Sequence, residues 1–298
     1  MQFNFTRYST VYYIFSGILV IATITSLFMF GLKFGIEFVG GSNMEVQFTN
    51  QRPSNEEINN TLGEFNLGEV TIQPISSNGA ILKFKGVDEA THQQILSKLD
   101  KSTPVTEKSF QYIGPSVGQE LRNKTELAIV LALLAITLYI AFAFRKVSRP
   151  VASWKYGITS LIALFHDVLI PIGVFSVLGY FYNVEITIPI IAALLTVLGF
   201  SVHDTIVIFD RIRENIFRRG MGDFEATVNE SLNQTVGRSL STVFSTLIVL
   251  IAIFFFGGET LRYFSLALII GITSGAYSSI FLASPLLVTW YKKSFKKA

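Results

Sequence analysis

Residues 156–183 read YGITSLIALFHDVLIPIGVFSVLGYFYN, and this stretch decides the fold. It contains no Lys, Arg or Glu, and only His166 and Asp167 interrupt its apolar character. A helix needs about 20 apolar residues to cross the hydrocarbon core of a bilayer, whereas apolar runs of 10–14 residues are typical of buried helices in soluble domains. The stretch therefore predicts a membrane-spanning helix.

Five further stretches of comparable length lie along the 298 residues. Half of the residues are hydrophobic and 15% are charged, below the roughly one quarter of charged residues in a typical soluble domain. The sequence therefore predicts a polytopic α-helical membrane protein with six transmembrane helices. In chain order the apolar stretches are Tyr8–Leu32, Leu127–Phe144, Tyr156–Asn183, Ile186–Phe209, Ser239–Gly258 and Tyr263–Tyr291.

The distribution of Lys and Arg predicts the orientation. Cytoplasmic loops of membrane proteins are enriched in these residues, and here they cluster in two loops and in the tail. We expect both termini in the cytoplasm and the first stretch to be a retained anchor rather than a cleaved signal peptide. The predicted domains are residues 1–32, 33–125 outside the cytoplasm, and 126–298 with helices two to six. The basic residues are Arg145, Lys146, Arg149, Lys155, Arg211, Arg213, Arg218, Arg219, Arg238, Lys292, Lys293, Lys296 and Lys297.

The segment outside the cytoplasm has the pattern of a small α+β domain. Ser54 followed by Glu57 is a capping box, and Asp88 can begin a second helix. Alternating apolar residues predict strands over 44–48, 70–75, 80–84 and 105–113. The order β-α-β-β-α-β is that of a ferredoxin-like domain. His92, alone on a polar helix, is expected to lie on the solvated surface.

Ionisable residues within the predicted spans are costly. With 100° per residue, Ser201, Asp204 and Thr205 share one face of the fourth span. The fifth span begins with Arg238, and Ser241 and Thr242 follow at helical spacing. If these spans pack together, Arg238 can reach Asp204, either as a static ion pair or as a protonatable switch.

His166 and Asp167 lie near the middle of the third span. They are either a polar pair satisfied by neighbouring helices or participants in proton movement. His203 points about 100° away from Asp204 on the helical wheel. A two-metal site built from these four residues lacks any metal-binding signature, so no metal is expected.

Four segments resemble the SecF family of the bacterial SecD–SecF export complex, within the resistance-nodulation-division superfamily. The segments are FGIEFVGG at 34–41, GPSVGQEL at 114–121, GFSVHDTIVIFDRIREN at 199–215 and NQT at 233–235, followed by Arg238. Glu37 stands where the family usually has Asp. The residues that match the first two motifs are Gly35, Glu37, Phe38, Gly40, Gly41, Gly114, Pro115, Gly118 and Glu120.

The resemblance implies a non-enzymatic subunit that uses the proton gradient for late steps of preprotein translocation across the bacterial inner membrane. It implies that Asp204 and Arg238 form the proton relay, and that a SecD-like subunit completes the bundle. The SecYEG channel, the preprotein and membrane lipid are the other expected partners. No cofactor and no nucleic acid are expected. A non-transporting scaffold and a small-molecule efflux transporter are the alternatives.

Small residues recur at every fourth position of the sixth span and allow a neighbouring helix to approach closely. Together with a bundle of half the usual size, they suggest an interface with a second six-span protein. The residues are Ala267, Gly271, Gly275, Ser279 and Ala283.

Overall fold

A computed structural model describes residues 3–75, 77–143, 151–219 and 223–295. It separates into two compact units, one of Met1–Lys33 with Ile129–Ala298 and the other of Phe34–Ala128. Several residues on which the predicted orientation depends lie outside the described residues; these are Arg145, Lys146, Arg149, Lys296 and Lys297.

One long apolar helix comes first, a segment of short helices and strands follows, and the other long helices complete the described chain. The helices are α1 (Ser9–Phe30), α2 (Ile36–Val39), α3 (Asn55–Leu62), α4 (Glu89–Ser102), α5 (Pro115–Ala143), α6 (Ser153–Tyr182), α7 (Ile188–Arg219), α8 (Phe224–Phe256), α9 (Gly258–Ser278) and α10 (Ser284–Phe295). The strands are β1 (Gly41–Phe48), β2 (Thr71–Pro74), β3 (Gly79–Phe84) and β4 (Val105–Ile113).

Six helical segments are long and apolar enough to cross a membrane, which confirms the predicted number of spans. They are α1, α5, α6, α7, α8 and the joined pair α9–α10. Helix α7 has 32 residues, about 48 Å at 1.5 Å per residue, and the hydrocarbon core is only about 30 Å thick. The apolar pattern predicted an end at Phe209, whereas the helix continues through the charged stretch 210–219.

Helix α6 packs closely against α1. A side chain at Gly173 would lie 2.5 Å from the hydroxyl oxygen of Thr23, so only glycine fits between the two helices. The Ser176 hydroxyl donates hydrogen bonds to the carbonyl oxygens of Ser26 at 3.0 Å and of Gly31 at 2.7 Å. The Gly31 carbonyl lies just beyond the end of α1, where the helix offers no N–H group to bond it. The Ser176 hydroxyl of α6 supplies the missing hydrogen-bond donor.

The small-residue face of α9 packs within the chain, against α7. A Cβ at Gly271 would lie 2.8 Å from one γ-methyl of Val197 and closer still to the other, and a Cβ at Gly275 would lie 3.2 Å from Cβ of Ser201. The prediction that this face meets a second six-span protein is therefore wrong. Residue spacing shows that a helix approaches this face, but it does not reveal which helix that is.

The sixth span contains a π-helical turn. Residues Ser279–Ala283 adopt the wider π conformation between α9 and α10. The Ser284 hydroxyl donates to the Ser279 carbonyl at 2.9 Å, and Pro285, which has no N–H, follows at once. Such turns are rare and recur near functional sites, and this one is adjacent to Ser278, whose role is described below.

The second unit is the predicted ferredoxin-like domain. Its antiparallel sheet has the order β2-β3-β1-β4, and α3 and α4 pack over the core with their buried residues Ile58, Leu62, Ile95 and Leu99. The capping box of Ser54 and Glu57 forms as expected. Asp88 begins α4, and its hydrogen bonds with Thr91 lower the pKa of the Asp88 carboxyl.

His92 is buried rather than solvated, so its predicted position is wrong. It is 4% exposed, its ring stacks on Phe110 with centroids 3.6 Å apart, and its ring nitrogens lie 3.2 Å from Glu89 and Glu107. His92 precedes Ile95 by three positions and therefore shares its helix face. Both ring nitrogens lie within hydrogen-bond distance of a carboxylate, and so a polar residue is tolerated beside the core.

Candidate functional site

Asp167 lies at the centre of a polar cage where α6, α7 and α9 meet. Its side chain is fully buried. Three hydroxyl groups donate hydrogen bonds to the carboxylate. Two of them bond to Oδ2, from Ser201 of α7 at 2.5 Å and from Ser278 of α9 at 2.6 Å. The third, from Ser274 of α9, bonds to Oδ1 at 3.1 Å. One carboxylate thus ties three spans together.

His166 completes the cage from the same helix. Its Nδ1 lies 2.9 Å from Oδ1 of Asp167, and its ring is stacked 6.0 Å from that of Tyr277. Its Nε2 is buried without a hydrogen-bond partner among the described residues. A buried ring nitrogen with no partner is unusual in a folded protein and calls for an explanation.

Asp204 lies on α7, one helical turn after Ser201, and is half-buried. Oδ1 of Asp204 accepts a hydrogen bond from the Ser239 hydroxyl of α8 at 3.2 Å. Its Oδ2 is buried and has no partner in the described part of the chain. The carboxylate therefore has one satisfied oxygen and one open oxygen.

Arg238 does not contact Asp204 in this structure. It is exposed, and it takes part in none of the ion pairs that the described residues form on α7 and α8. The residue beside it, Ser239, holds Asp204 instead. Ser241 and Thr242 are exposed on the same side, and their hydroxyls donate to backbone carbonyls four residues earlier, at 2.8 and 3.1 Å. His203 is also exposed.

The predicted polar residues therefore form two groups. The exposed group on α7 and α8 comprises His203, Arg238, Ser241 and Thr242, which we call the polar seam, with Asp204 at its buried edge. The inner group is the cage of Asp167, His166 and Ser201. Thr205 belongs to neither, because its hydroxyl bonds to that of Ser279 at 2.8 Å and is buried.

A small cavity separates Asp204 from the cage. It is lined by Asp204, Ser201 and His203 of α7, Thr242 of α8 and Gly275 of α9, together with apolar residues. The cavity is small, with room for about one water molecule. A side chain at Gly275 would lie 3.6 Å from Oδ2 of Asp167, so Gly275 and Ser201 stand between the two carboxylates.

The glycine motifs of the second unit are structural. Gly40 and Gly41 have positive φ angles of 78° and 146°, which side chains rarely adopt. A Cβ at Gly40 would lie 2.9 Å from Cα of Pro115, and a Cβ at Gly118 would lie 3.0 Å from the Gly40 nitrogen. The motifs at 34–41 and 114–121 therefore pack backbone to backbone. Glu120 forms a surface ion pair with Lys124.

The sequence did not identify Ser274 and Ser278 as partners of Asp167, or Ser239 as the partner of Asp204. The spacing of Ser274 and Ser278, four residues apart in an apolar span, places both on one face and would have indicated a polar contact. Their target was not predictable without knowing that α9 packs on α6 and α7. Among the described residues, no cluster of three metal-ligating side chains occurs.

Fold and site together define a six-span membrane protein with one ferredoxin-like domain and ionisable residues inside the bundle. The family model for the C-terminal part of the protein export membrane proteins SecD and SecF matches residues 92–293. The model for the SecD/SecF GG motif matches residues 25–51. The chain is 42% identical to a protein translocase subunit SecF of Thermobaculum terrenum, with 98% of this chain and 95% of that protein covered.

A SecF of Desulfurispirillum indicum is 39% identical, with 96% of this chain and 91% of that protein covered. The crystal structure of SecDF from Thermus thermophilus, a translocon-associated membrane protein, matches with a TM-score of 0.85 and 32% identity. The match covers 98% of this chain, which spans only 39% of that SecDF chain. This chain belongs to the SecF family of protein translocase subunits, whose members are multi-pass proteins of the bacterial inner membrane.

Proposed function

We propose that this chain couples the transmembrane proton gradient to late steps of preprotein translocation, together with a SecD-like partner. The observation that carries the proposal is the half-satisfied carboxylate of Asp204. Asp204 lines a cavity with room for about one water molecule, and its buried Oδ2 has no hydrogen-bond partner among the described residues. A purely static ion pair would instead engage Arg238, which is exposed.

The polar seam supports a protein partner within the membrane. Arg238 is exposed near the start of an apolar span, and Ser241 and Thr242 extend the polar surface along it. A charged side chain facing lipid at depth costs about 2.5–3.5 kcal/mol on insertion scales, so such residues normally face protein or water. The SecDF chain continues far beyond the part that this chain matches. A SecD-like subunit is therefore the partner we assign to the seam.

The remaining partners follow from the family. The SecDF protein of Thermus thermophilus is a translocon-associated membrane protein. For this chain we accordingly propose contacts with the SecYEG channel, with the preprotein that leaves it, and with surrounding lipid. Neither an enzymatic activity nor a cofactor is part of the proposal.

The proposal is tested by measuring how much this chain increases the rate of preprotein export. Cells lacking the endogenous subunit, with and without this chain and its SecD partner, are compared by pulse-chase of a secreted preprotein, each with and without an uncoupler. We call the gain in export rate that the chain provides the export increment. We expect the increment to disappear with the uncoupler. An increment that survives uncoupling would instead establish a scaffold that does not use the gradient.

The orientation is a separate prediction, based on the distribution of Lys and Arg. Residues 33–125 should lie outside the cytoplasm and both termini inside. A cysteine in place of the exposed Asn60 of α3 should react with an impermeant thiol reagent added to intact cells after the outer membrane is permeabilised. A cysteine at Met221, which lies outside the described residues, should react only after cell lysis. Labelling with the opposite preference would invert the topology.

A further inference from the structure

The cage around Asp167 suits a group that alternates between two protonation states. Its three hydroxyl partners can each donate to a carboxylate, and each can also accept a hydrogen bond when the carboxyl group carries the proton. A cage of Arg or Lys could only donate. The three serines can therefore hold either form of Asp167 without moving their heavy atoms, and the open Nε2 of His166 can itself accept a proton.

The cage also lies beside the cavity of Asp204. Ser201 belongs to both, because its hydroxyl donates to Oδ2 of Asp167 and the residue lines the cavity. Ser201 and Asp204 are three positions apart on α7 and hence neighbours on its surface. Gly275 lines the same cavity, and a Cβ at this position would lie 3.2 Å from Cβ of Ser201.

We propose that Asp167, assisted by His166, is a second proton-binding site, loaded from Asp204 through the hydroxyl group of Ser201. The inference rests on the proposed function, since Asp204 must first receive a proton. Protonated Asp204 gives its proton through one water molecule in the cavity to Ser201 Oγ, while the Ser201 hydroxyl proton passes to Oδ2 of Asp167. Asp204 is then a carboxylate, Asp167 is protonated, and rotation of the Ser201 hydroxyl resets the path.

The titratable groups around this path come from α6, α7 and α9, while Arg238 of α8 is exposed and does not contact Asp204. Helix α6 contributes His166, α7 contributes Asp204 and the exposed His203, and α9 contributes Tyr277. The Tyr277 hydroxyl donates to the backbone carbonyl of Tyr12 on α1 at 3.1 Å and is thereby engaged away from the cage. His166 is accordingly the group best placed to share a proton with Asp167.

Removal of the Ser201 hydroxyl tests the path, with Ser278→Ala as the comparison. Both serines are buried and donate to the same oxygen at nearly the same distance, but Ser278 does not line the cavity. We expect Ser201→Ala to reduce the export increment about tenfold or more, because a positioned proton donor is typically worth more than that. Ser278→Ala should cause a clearly smaller loss, and Asp167→Asn should abolish the increment.

Ser279→Ala controls for the loss of a hydroxyl bond between α7 and the sixth span, because the Ser279 hydroxyl of the π-helical turn bonds to that of Thr205, away from the cage. Membrane abundance and co-purification with SecD are measured for every variant. If Ser201→Ala does not accumulate, Ser201→Cys and Ser278→Cys replace the pair, with the same expected order.

Asp204→Asn is assayed in parallel to separate the two proposals. Equal effects of Ser201→Ala and Ser278→Ala, with Asp204→Asn defective, would overturn the second site and leave the proposed function standing. An export increment that survives Asp204→Asn would overturn both.

Discussion

Replacing Asp204 with Asn is expected to abolish the export increment while leaving the protein in the membrane. Asn preserves the shape of the side chain and can still accept a hydrogen bond from Ser239, which lies 3.2 Å from Oδ1. It cannot take up a proton. Export with the variant should fall to the level of cells that lack this chain, measured by pulse-chase alongside membrane abundance and recovery of the SecD partner.

The same substitution separates the relay from a static ion pair. Loss of one member of a buried ion pair costs about 3–5 kcal/mol because it strands the other charge, and a variant of that kind should disappear from the membrane. Asp210→Asn is the matched control. It makes the same chemical change on the same helix, but at an exposed carboxylate paired with Arg213 at 3.2 Å. It should keep the increment, and a well-expressed Asp204→Asn protein with normal gradient-dependent export would refute the relay.

Gly271→Val is expected to remove most of the folded protein from the membrane. Even a Cβ at this position would lie 2.8 Å or less from two atoms of Val197, and the rigid valine on α7 cannot rotate away without disturbing the helix contact. Overpacking of this kind typically costs about 1–3 kcal/mol, and more where backbone must move. The measurement is the amount of protein that remains monodisperse after extraction in mild detergent.

Gly17→Val on α1 is the control for that substitution. A Cβ at Gly17 meets no atom within 4 Å, so the same change in an apolar span should leave the protein abundant. If Gly271→Val accumulates as well as Gly17→Val, the contact of α9 with α7 is looser than the structure describes.

The spans and the ferredoxin-like domain could be predicted because each depends on a local pattern. An apolar run reports membrane crossing by length alone, and the order of strands and helices in residues 41–113 follows from alternation and capping residues. His92 was misplaced because its burial depends on Glu107 and Phe110, which lie on β4. The residues around His92 on α4 are polar, which suggested an exposed position. Its spacing of three residues from Ile95 nevertheless places it on the face of α4 that packs on the core.

The candidate site was only partly predictable, since it depends on which helices touch. Asp204 stood out as a carboxylate in an apolar span, but its contact with Ser239 rather than Arg238 depends on the rotation of α8. The cage of Asp167 requires α9 to pack on both α6 and α7. Helical periodicity gives the face of each residue, and it cannot say which helix that face meets.

The π-helical turn at Ser279–Ala283 has a consequence for comparing the sixth span between relatives. A π turn amounts to one extra residue in an α-helix, and one residue corresponds to a rotation of about 100°. Residues after the turn, such as Tyr291 and Lys292, contact Phe224 and Glu225 of α8. In an unbroken α-helix these residues would be rotated by about 100° and would point in another direction. An alignment of this span with a relative that lacks the turn needs a one-residue gap here. Without the gap, the positions of α10 are matched to the wrong face.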